Sequence, residues 1–403
     1  MIVQDFSRQR VPATESVSGI RYQLKTMYTS YLSVCLGVVP ALALAGVLVA
    51  CADADVGREV FRDDETQQGE ATSAAFQKLV EDYRTTYVAR GAHAKAHACL
   101  RAYFDVLQDI RSDYRYGIFS KPGSRYKTWV RFSNGHYDLK TSQDYENDAR
   151  GMALKLMEIN GQPLEQSDAG NATQDFLMAN TPVFFVRNMP DYNSFVANPE
   201  NLKAFFFPDW NPFNWRIKEL FAGKRVLSPP PASVLDPTYY SITPYKLGPH
   251  NIKFAARPCH QRNDAQPVID EHSSADFLRE QLQEELSGTA ACFIFQVQVQ
   301  RTDKGAMSLD DATEAWSEQD APFIPLATIT VPQQEFSDPE QAQFCENLSF
   351  APWHALPEHR PLGQLNRLRR HAYPASSGYR HEQNQTAVPD AMAYWCAAPE
   401  LKC

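Results

Sequence analysis

Residues 127–133, KTWVRFS, read with the two-residue period of a half-buried strand. The same alternation runs upstream through 100–106 (LRAYFDV) and downstream through 151–159 (GMALKLMEI), 182–186 (PVFFV), 292–299 (CFIFQVQV) and 323–331 (FIPLATITV). Six or more such strands, separated by turn-rich connections, predict a barrel. Helical spacing is confined to 74–88, where Phe76, Leu79, Val80 and Tyr83 recur on one face, and to 276–286. Between the strand groups lie an aromatic-rich stretch, 202–213, and a proline-rich loop, 227–233. The expected class is therefore α+β.

At 403 residues, 43% hydrophobic and 12% aromatic, the chain can build a substantial core. A net charge of -9 argues against nucleic acid as a partner, since no basic footprint is present. The expected partner is a small molecule.

Residues 28–51 carry no charge and follow Arg21 and Lys25, the layout of a basic segment before an apolar one. The run ends Leu-Val-Ala-Cys51, as a lipoprotein signal does before its acylated cysteine. Residues 1–51 are expected to be a signal, lipoprotein or membrane-anchor segment, with translation beginning later, at Met27, as one option. The remainder would be exported, either periplasmic or membrane-anchored, with acylation of Cys51 left open. Residues 52–72 are polar and acidic and read as a solvated tether in which little packs. Residues 73–388 are the expected folded domain and 389–403 a tail. Beyond Cys35 and Cys51, six cysteines show no zinc-finger or CxxC spacing. Cys396 with Cys403 or with Cys259 are candidate pairs.

Residues 90–97, RGAHAKAH, hold two histidines four apart. On a helix they would share a face and could chelate a metal. The intervening residues are Ala94, Lys95 and Ala96, with no glutamate base between, and the lysine would repel a cation. Context points elsewhere. In order, the chain presents Arg90-x-x-His93-Ala-Lys95, Trp129-Val-Arg-Phe-Ser133, Asp148-Ala-Arg-Gly-Met-Ala-Leu-Lys155, Asn180-Thr-Pro-Val-Phe-Phe-Val-Arg187 and Arg369-Arg-His-Ala-Tyr373-Pro.

This series resembles the haem catalase family over roughly 74–384, and looks closest to its short catalase-related peroxidases. The resemblance implies an antiparallel eight-stranded β-barrel with surrounding helices and haem b as cofactor. It makes His93 the distal base, Ser133 its hydrogen-bond partner and Tyr373 the iron ligand. Arg369, one helical turn before Tyr373, would favour the phenolate. Arg90, Arg131 and Arg380 would meet the propionates. Phe184, Phe185 and Tyr192 would line the haem face, and His97 is read as structural. Ligation of haem iron by tyrosine is the arrangement known for catalases, so the ligand type follows from the resemblance alone.

Two positions depart from the family. Ala179 stands where typical members carry a distal asparagine, with Asn180 next to it as a candidate substitute. Ala92 stands where they carry valine, which widens the space beside His93. The expectation is a haem peroxidase that reduces hydrogen peroxide or organic hydroperoxides with an organic reductant and has weak catalase activity. A fatty-acid hydroperoxide isomerase of the allene-oxide-synthase kind and a non-enzymatic haem-binding envelope protein are the alternatives. Self-association into a homo-oligomer is left open.

Overall fold

The structure, a computed structural model, describes residues 57–167, 172–260, 268–304 and 307–397. Nine strands make one antiparallel sheet: β1 (Ala96–Val106), β2 (Arg125–Asn134), β3 (Arg150–Leu156), β4 (Gln174–Ala179), β5 (Tyr239–Tyr240), β6 (Tyr245–Leu247), β7 (His250–Pro258), β8 (Ala291–Val299) and β9 (Phe323–Val331). The order runs β5-β4-β3-β2-β1-β9-β8-β7, and β5 pairs with β7, so eight strands close a barrel with β6 beside β7. This is the expected antiparallel eight-stranded barrel.

Alternation along each strand sorts the residues to its two sides. Leu100, Ala102 and Phe104 of β1, Val130 and Phe132 of β2, and Met152 and Leu154 of β3 enter the barrel core. Its centre is aromatic: the ring of Phe295 lies 5.2 Å from that of Phe104, 4.8 Å from Phe176 and 5.5 Å from Phe254. Truncating Phe295 to alanine is expected to cost about 3–5 kcal/mol, the range for a cavity left by a buried phenylalanine. The intervening residues face outward, and there the helices pack.

The helices are α1 (Glu65–Asp82), α2 (Met189–Val196), α3 (Leu202–Phe206), α4 (Ile217–Val226), α5 (Phe277–Gly288), α6 (Pro339–Asn347), α7 (Gln364–Asn384) and α8 (Ala391–Cys396). Local chemistry starts several of them. The side chain of Asn188 accepts from Asp191 N–H at 3.1 Å ahead of α2, and that of Asp338 accepts from Glu340 N–H at 2.9 Å ahead of α6; each helix has proline in its first turn. Helix α1 lies on α7 at Gly69, where a Cβ would come within 2.5 Å of the exposed His371 ring and would have to displace it.

Several expectations are corrected. The stretch 52–72 is not a free tether where it is described: α1 begins at Glu65, nine residues before the predicted helix start, and Thr72 is buried. The reason is electrostatic. Glu59 lies 2.7 Å from both Arg360 and Arg367, and Glu65 2.8 Å from Arg367, so the acidic segment neutralises the basic run that leads into α7. Nor is 389–397 a tail. Trp395 is fully buried, its ring edge-on to Tyr103 at 5.4 Å, and Trp129 Nε1 donates to Ala391 O. Residues 182–186 form no strand. Pro182 has no N–H to donate, and the segment is instead fastened by Phe184 N–H to Ala312 O and Ala312 N–H to Arg187 O. His93 and His97 share no helix face, because His97 lies in β1.

Disulfides join Cys99 to Cys345 and Cys259 to Cys292, which removes the Cys259–Cys396 pairing; Cys396 is also disulfide-bonded. The expected signal or anchor segment, with Cys35 and Cys51, lies outside the described residues, as does Cys403. Among the described residues no helix is long and apolar enough to cross a membrane.

Candidate active site

The site stands on the outer face of the barrel. Ser133 of β2 pairs with Gly151 of β3, which pairs with Ala179 of β4, so the three form one row on one side of the sheet. His93 lies over this row. Its Nδ1 is hydrogen-bonded to Ser133 Oγ at 3.1 Å, and a Cβ on residue 151 would sit 2.5 Å from Nδ1. Glycine at 151 is thus what lets the imidazole rest on the strand.

His93 itself is held in the left-handed region, φ 53°, which a non-glycine residue rarely adopts. Its N–H donates to Gly135 O, Ala94 N–H donates to His136 O, and Arg131 Nη2 donates to His93 O at 2.7 Å. Asp148 braces the same turn: its carboxylate accepts from the N–H groups of Gly135, His136 and Ala149. The Asp148-Ala-Arg150-Gly151 motif therefore has a physical content that its sequence alone did not disclose. Burial, with the charges of Arg131, Arg369 and Arg90, pushes the His93 imidazole down to about 4. It is neutral at pH 7, with Nδ1 committed to Ser133.

Arg90, Arg131 and Arg380 come together around Glu346 and Tyr87. Each acts on the phenol of Tyr87, which is 39% exposed, and Arg131, only 4% exposed, is pushed down to about 9 by burial and then by the charges of Arg90 and Arg380. Arg90 Nη2 donates to the carbonyls of Cys345, Glu346 and Leu348, and Arg380 Nη1 donates to Glu346 O. The carboxylate nearest them is that of Glu346, 3.9 Å from Arg90 Nε and 3.7 Å from Arg380 Nη1. The buried Nε atoms of Arg90 and Arg131 have no hydrogen-bond partner among the described residues. Such a cluster suits a dianion, because like charges gathered in a buried place are otherwise costly.

Tyr373 projects from α7 beside Phe76, Leu79 and Val196. Arg369, four residues earlier, is buried, which opposes its charge, but Tyr373, Tyr245 and Tyr192 around it raise its pKa. Its Nη1 lies 3.3 Å from both Thr243 Oγ1 and Asn366 Oδ1, which orient it. The phenol of Tyr192 is raised by burial and by Tyr373, against Arg369. Tyr192 also packs on Phe76 and Phe184.

Not every expected residue joins this group. Phe185 turns toward the helices, edge-on to Phe195 at 4.8 Å and packed with Phe205 and Phe206. Asn180 does not stand in for the missing distal amide. Its neighbour Ala179 lies on the His93 side of the sheet, while Asn180 Oδ1 accepts from Arg150 N–H at 2.7 Å and its Nδ2 donates to Ser228 Oγ at 3.1 Å. His97 is structural as expected: buried, with Nε2 2.9 Å from Asn134 Oδ1. Lys95 is bound to Asp144 and Asp276. Sequence reading missed Gly151 as a seat, Glu346 as the counter-charge, and Thr243 and Asn366 as buttresses. Only Gly151 lay within a quoted motif.

Residues 72–209 match the family described as Catalase. The barrel and the ordered site make that match structural as well as sequential. That match, over 138 of the chain's 403 residues, supports membership of the catalase superfamily. It is 24% identical over 328 residues to a peroxisomal catalase of Candida boidinii, covering 74% of this chain and 60% of that protein. It is 27% identical over 334 residues to peroxisomal catalase A of Saccharomyces cerevisiae, covering 76% and 60%. The chain thus spans about 60% of the length of the curated relatives it matches. Among solved structures, catalase A from Saccharomyces cerevisiae superposes with a TM-score of 0.57 at 21% identity, over 80% of this chain and 65% of that one. A bacterial catalase does so at 0.55 and 17% identity, over 91% and 71%. These superpositions show the shared fold.

Proposed function

We propose that this protein is a haem-dependent peroxidase, reducing hydrogen peroxide or organic hydroperoxides with an external electron donor and dismutating hydrogen peroxide only weakly. The residues fit haem b. Tyr373 with Arg369 behind it is an oxygen ligand with a fixed counter-charge, and Arg90, Arg131 and Arg380 are a receptor for two propionates. When bound, haem supplies the redox-active iron at which the peroxide oxygen–oxygen bond is cleaved.

The chain's own part is proton handling and positioning. A hydroperoxide takes two electrons and two protons to become an alcohol, or water, and one further water. Neutral His93 accepts a proton from the inner peroxide oxygen at Nε2 and returns it to the outer oxygen as that leaves. Ser133 keeps the ring in the orientation this requires. A resting pKa near 4 makes the protonated ring a strong acid for the return step.

The observation carrying the peroxidase reading is Ala179 in the row beneath His93 with Asn180 tied to Arg150 and Ser228. No amide there helps to orient a second hydrogen peroxide as reductant. Export is part of the proposal, supported by the apolar run 28–51 and by the disulfides, which persist in oxidising compartments.

The test is to load the protein with haem and compare oxidation of a phenolic donor with oxygen release from hydrogen peroxide. Donor oxidation should dominate, and Ala179→Asn should raise oxygen release by about 10-fold or more, the scale of one positioned donor. Failure to bind haem, or oxygen release that already dominates in the unaltered chain, sinks the reading.

A further inference from the structure

Ten large apolar residues are exposed among the described residues, and six of them fall between 210 and 227: Trp210, Phe213, Trp215, Ile217, Phe221 and Leu227. Trp210 is 98% exposed, Phe213 94% and Phe221 62%. The loop that carries the first three is not slack. Trp215 Nε1 donates to Asp209 O, Asn214 Nδ2 donates to Asp209 Oδ2, and the ring of Trp215 stands edge-on to Phe207 at 5.3 Å. A firm loop therefore holds two aromatic rings out in water.

Helix α4 continues the face. It buries Glu219, Ala222, Gly223 and Val226 and turns Ile217 and Phe221 outward, with Lys224 over the Phe221 ring at 5.6 Å and Arg225 beside it. Aromatic rings fringed by lysine and arginine are the composition of an interfacial surface: rings enter the acyl boundary while cations meet anionic headgroups.

A second observation comes from where the described chain begins. Val60 N–H donates to Asp310 Oδ2 at 2.7 Å, and the next residue, Asp311, is 2.7 Å from Lys218 of α4. The described chain begins at Gly57, whose carbonyl accepts from Asn251 Nδ2, and by Val60 it is tied to the loop that also holds α4 through Asp311; this stretch carries two more of the ten exposed apolar residues, Val60 and Phe61. Six peptide steps separate Gly57 from Cys51, the end of the uncharged run 28–51. At about 3.5 Å each they reach about 20 Å. A run held in a bilayer would keep the folded part within that reach of the membrane, where an apolar face fringed by cations can settle on it.

We propose that the Trp210–Leu227 face docks on a lipid bilayer carrying anionic headgroups, with Trp210, Phe213 and Phe221 inserted among the acyl chains. This does not rest on the peroxidase reading.

The chain's own tryptophans provide the test. There are six, none in residues 1–56, and Trp129, Trp316, Trp353 and Trp395 are buried, leaving Trp210 and Trp215 to report. The full chain is bound to mixed phosphatidylcholine and phosphatidylglycerol vesicles with or without bromine on the acyl chains, and tryptophan emission is recorded. Brominated lipid should quench about one third of the emission, two residues of six, and Trp210→Ala should remove about half of that quenching. Protein that sediments with the vesicles but is not quenched overturns the proposal. So does a stable dimer whose mass falls to that of one chain in Trp210→Ala, since a second copy would then cover the face.

Discussion

Gly151→Ala tests the site most directly, because the geometry gives its size. A Cβ at 151 would lie 2.5 Å from His93 Nδ1, 2.7 Å from Cε1 and 2.8 Å from Ser133 Oγ. Ordinary contacts of carbon are near 3.5–4.0 Å, so imidazole and hydroxyl must each yield by about 1 Å. The backbone offers little slack, since His93 is held on both sides, through its own N–H and through the carbonyl that Arg131 grips. The ring must therefore rotate away from Ser133. A misplacement of about 1 Å at a reacting group costs on the order of 100-fold in rate, and overpacking costs about 1–3 kcal/mol of stability. Ser133→Ala removes only one hydrogen bond, about 1 kcal/mol or roughly fivefold. The assay is kcat/KM for donor oxidation of haem-loaded protein, with haem content measured in each variant. Gly151→Ala should retain haem, fall well below Ser133→Ala and approach His93→Ala. Activity within threefold of the unaltered chain, at equal haem content, would refute the seat assigned to His93.

Arg131→Leu should raise the melting temperature of the haem-free protein, because a buried cation repelled by Arg90 and Arg380 is removed, and should speed haem loss to apomyoglobin; a lower melting temperature would count against the cluster being strained without haem. His97 and His359 are both buried and pushed down to about 4 by that burial. The unfolded imidazole titrates near 6.5, so the unfolded state binds more protons between these values. The contribution of each, about 3 kcal/mol, is whole above pH 6.5 and is lost as pH falls toward 4. Urea unfolding at pH 7 and pH 5 should show the loss, and equal stabilities would contradict it. Reducing the Cys99–Cys345 disulfide, which spans 246 residues, should cost about 5 kcal/mol by chain entropy. It should also loosen haem, since the carbonyls of Cys345 and Glu346 hold Arg90; thermal melts and haem retention with and without dithiothreitol read both effects.

How much of this is legible in the sequence depends on the range over which each feature is encoded. β1, β2, β3, β8 and β9 are long enough to display a two-residue period, and all five show it. β5 has two residues and β6 three, too few for any period to show, and β7 ends in Ala-Ala-Arg-Pro, which dilutes its pattern. Residues 182–186 are apolar enough for a strand but belong to a segment tied to Ala312 from a distance of over 120 residues, which local pattern cannot reveal. At the site, the roles given to His93, Ser133, Arg369 and Tyr373 are those that the resemblance to the catalase family implies. Glu346 does not, because its meaning is its position among three arginines drawn from 90, 131 and 380. Asn180 is set aside only once β4 is known to end at Ala179. Once Ala179 is placed on the strand face beneath His93, its neighbour must point to the opposite face.

The same alternation explains how the chemistry can change while the barrel does not. Phe132, Met152 and Met178 point inward and carry the core, while Ser133, Gly151 and Ala179 point outward from the same three strands and carry the site. The two sets share a backbone but lie on opposite faces of the sheet, so substitution in the outer row leaves the inner packing untouched. Ser133 and Gly151 are bound to their identities by the imidazole lying on them, the first through its hydrogen bond and the second through space. Ala179 is under neither constraint. It packs with apolar neighbours, among them Met189, Ile242 and Leu365. It is therefore the place in the row where an amide or an alanine can stand without harm to the fold, and on the proposed reading it is where the balance between reducing a peroxide and oxidising a second one is set.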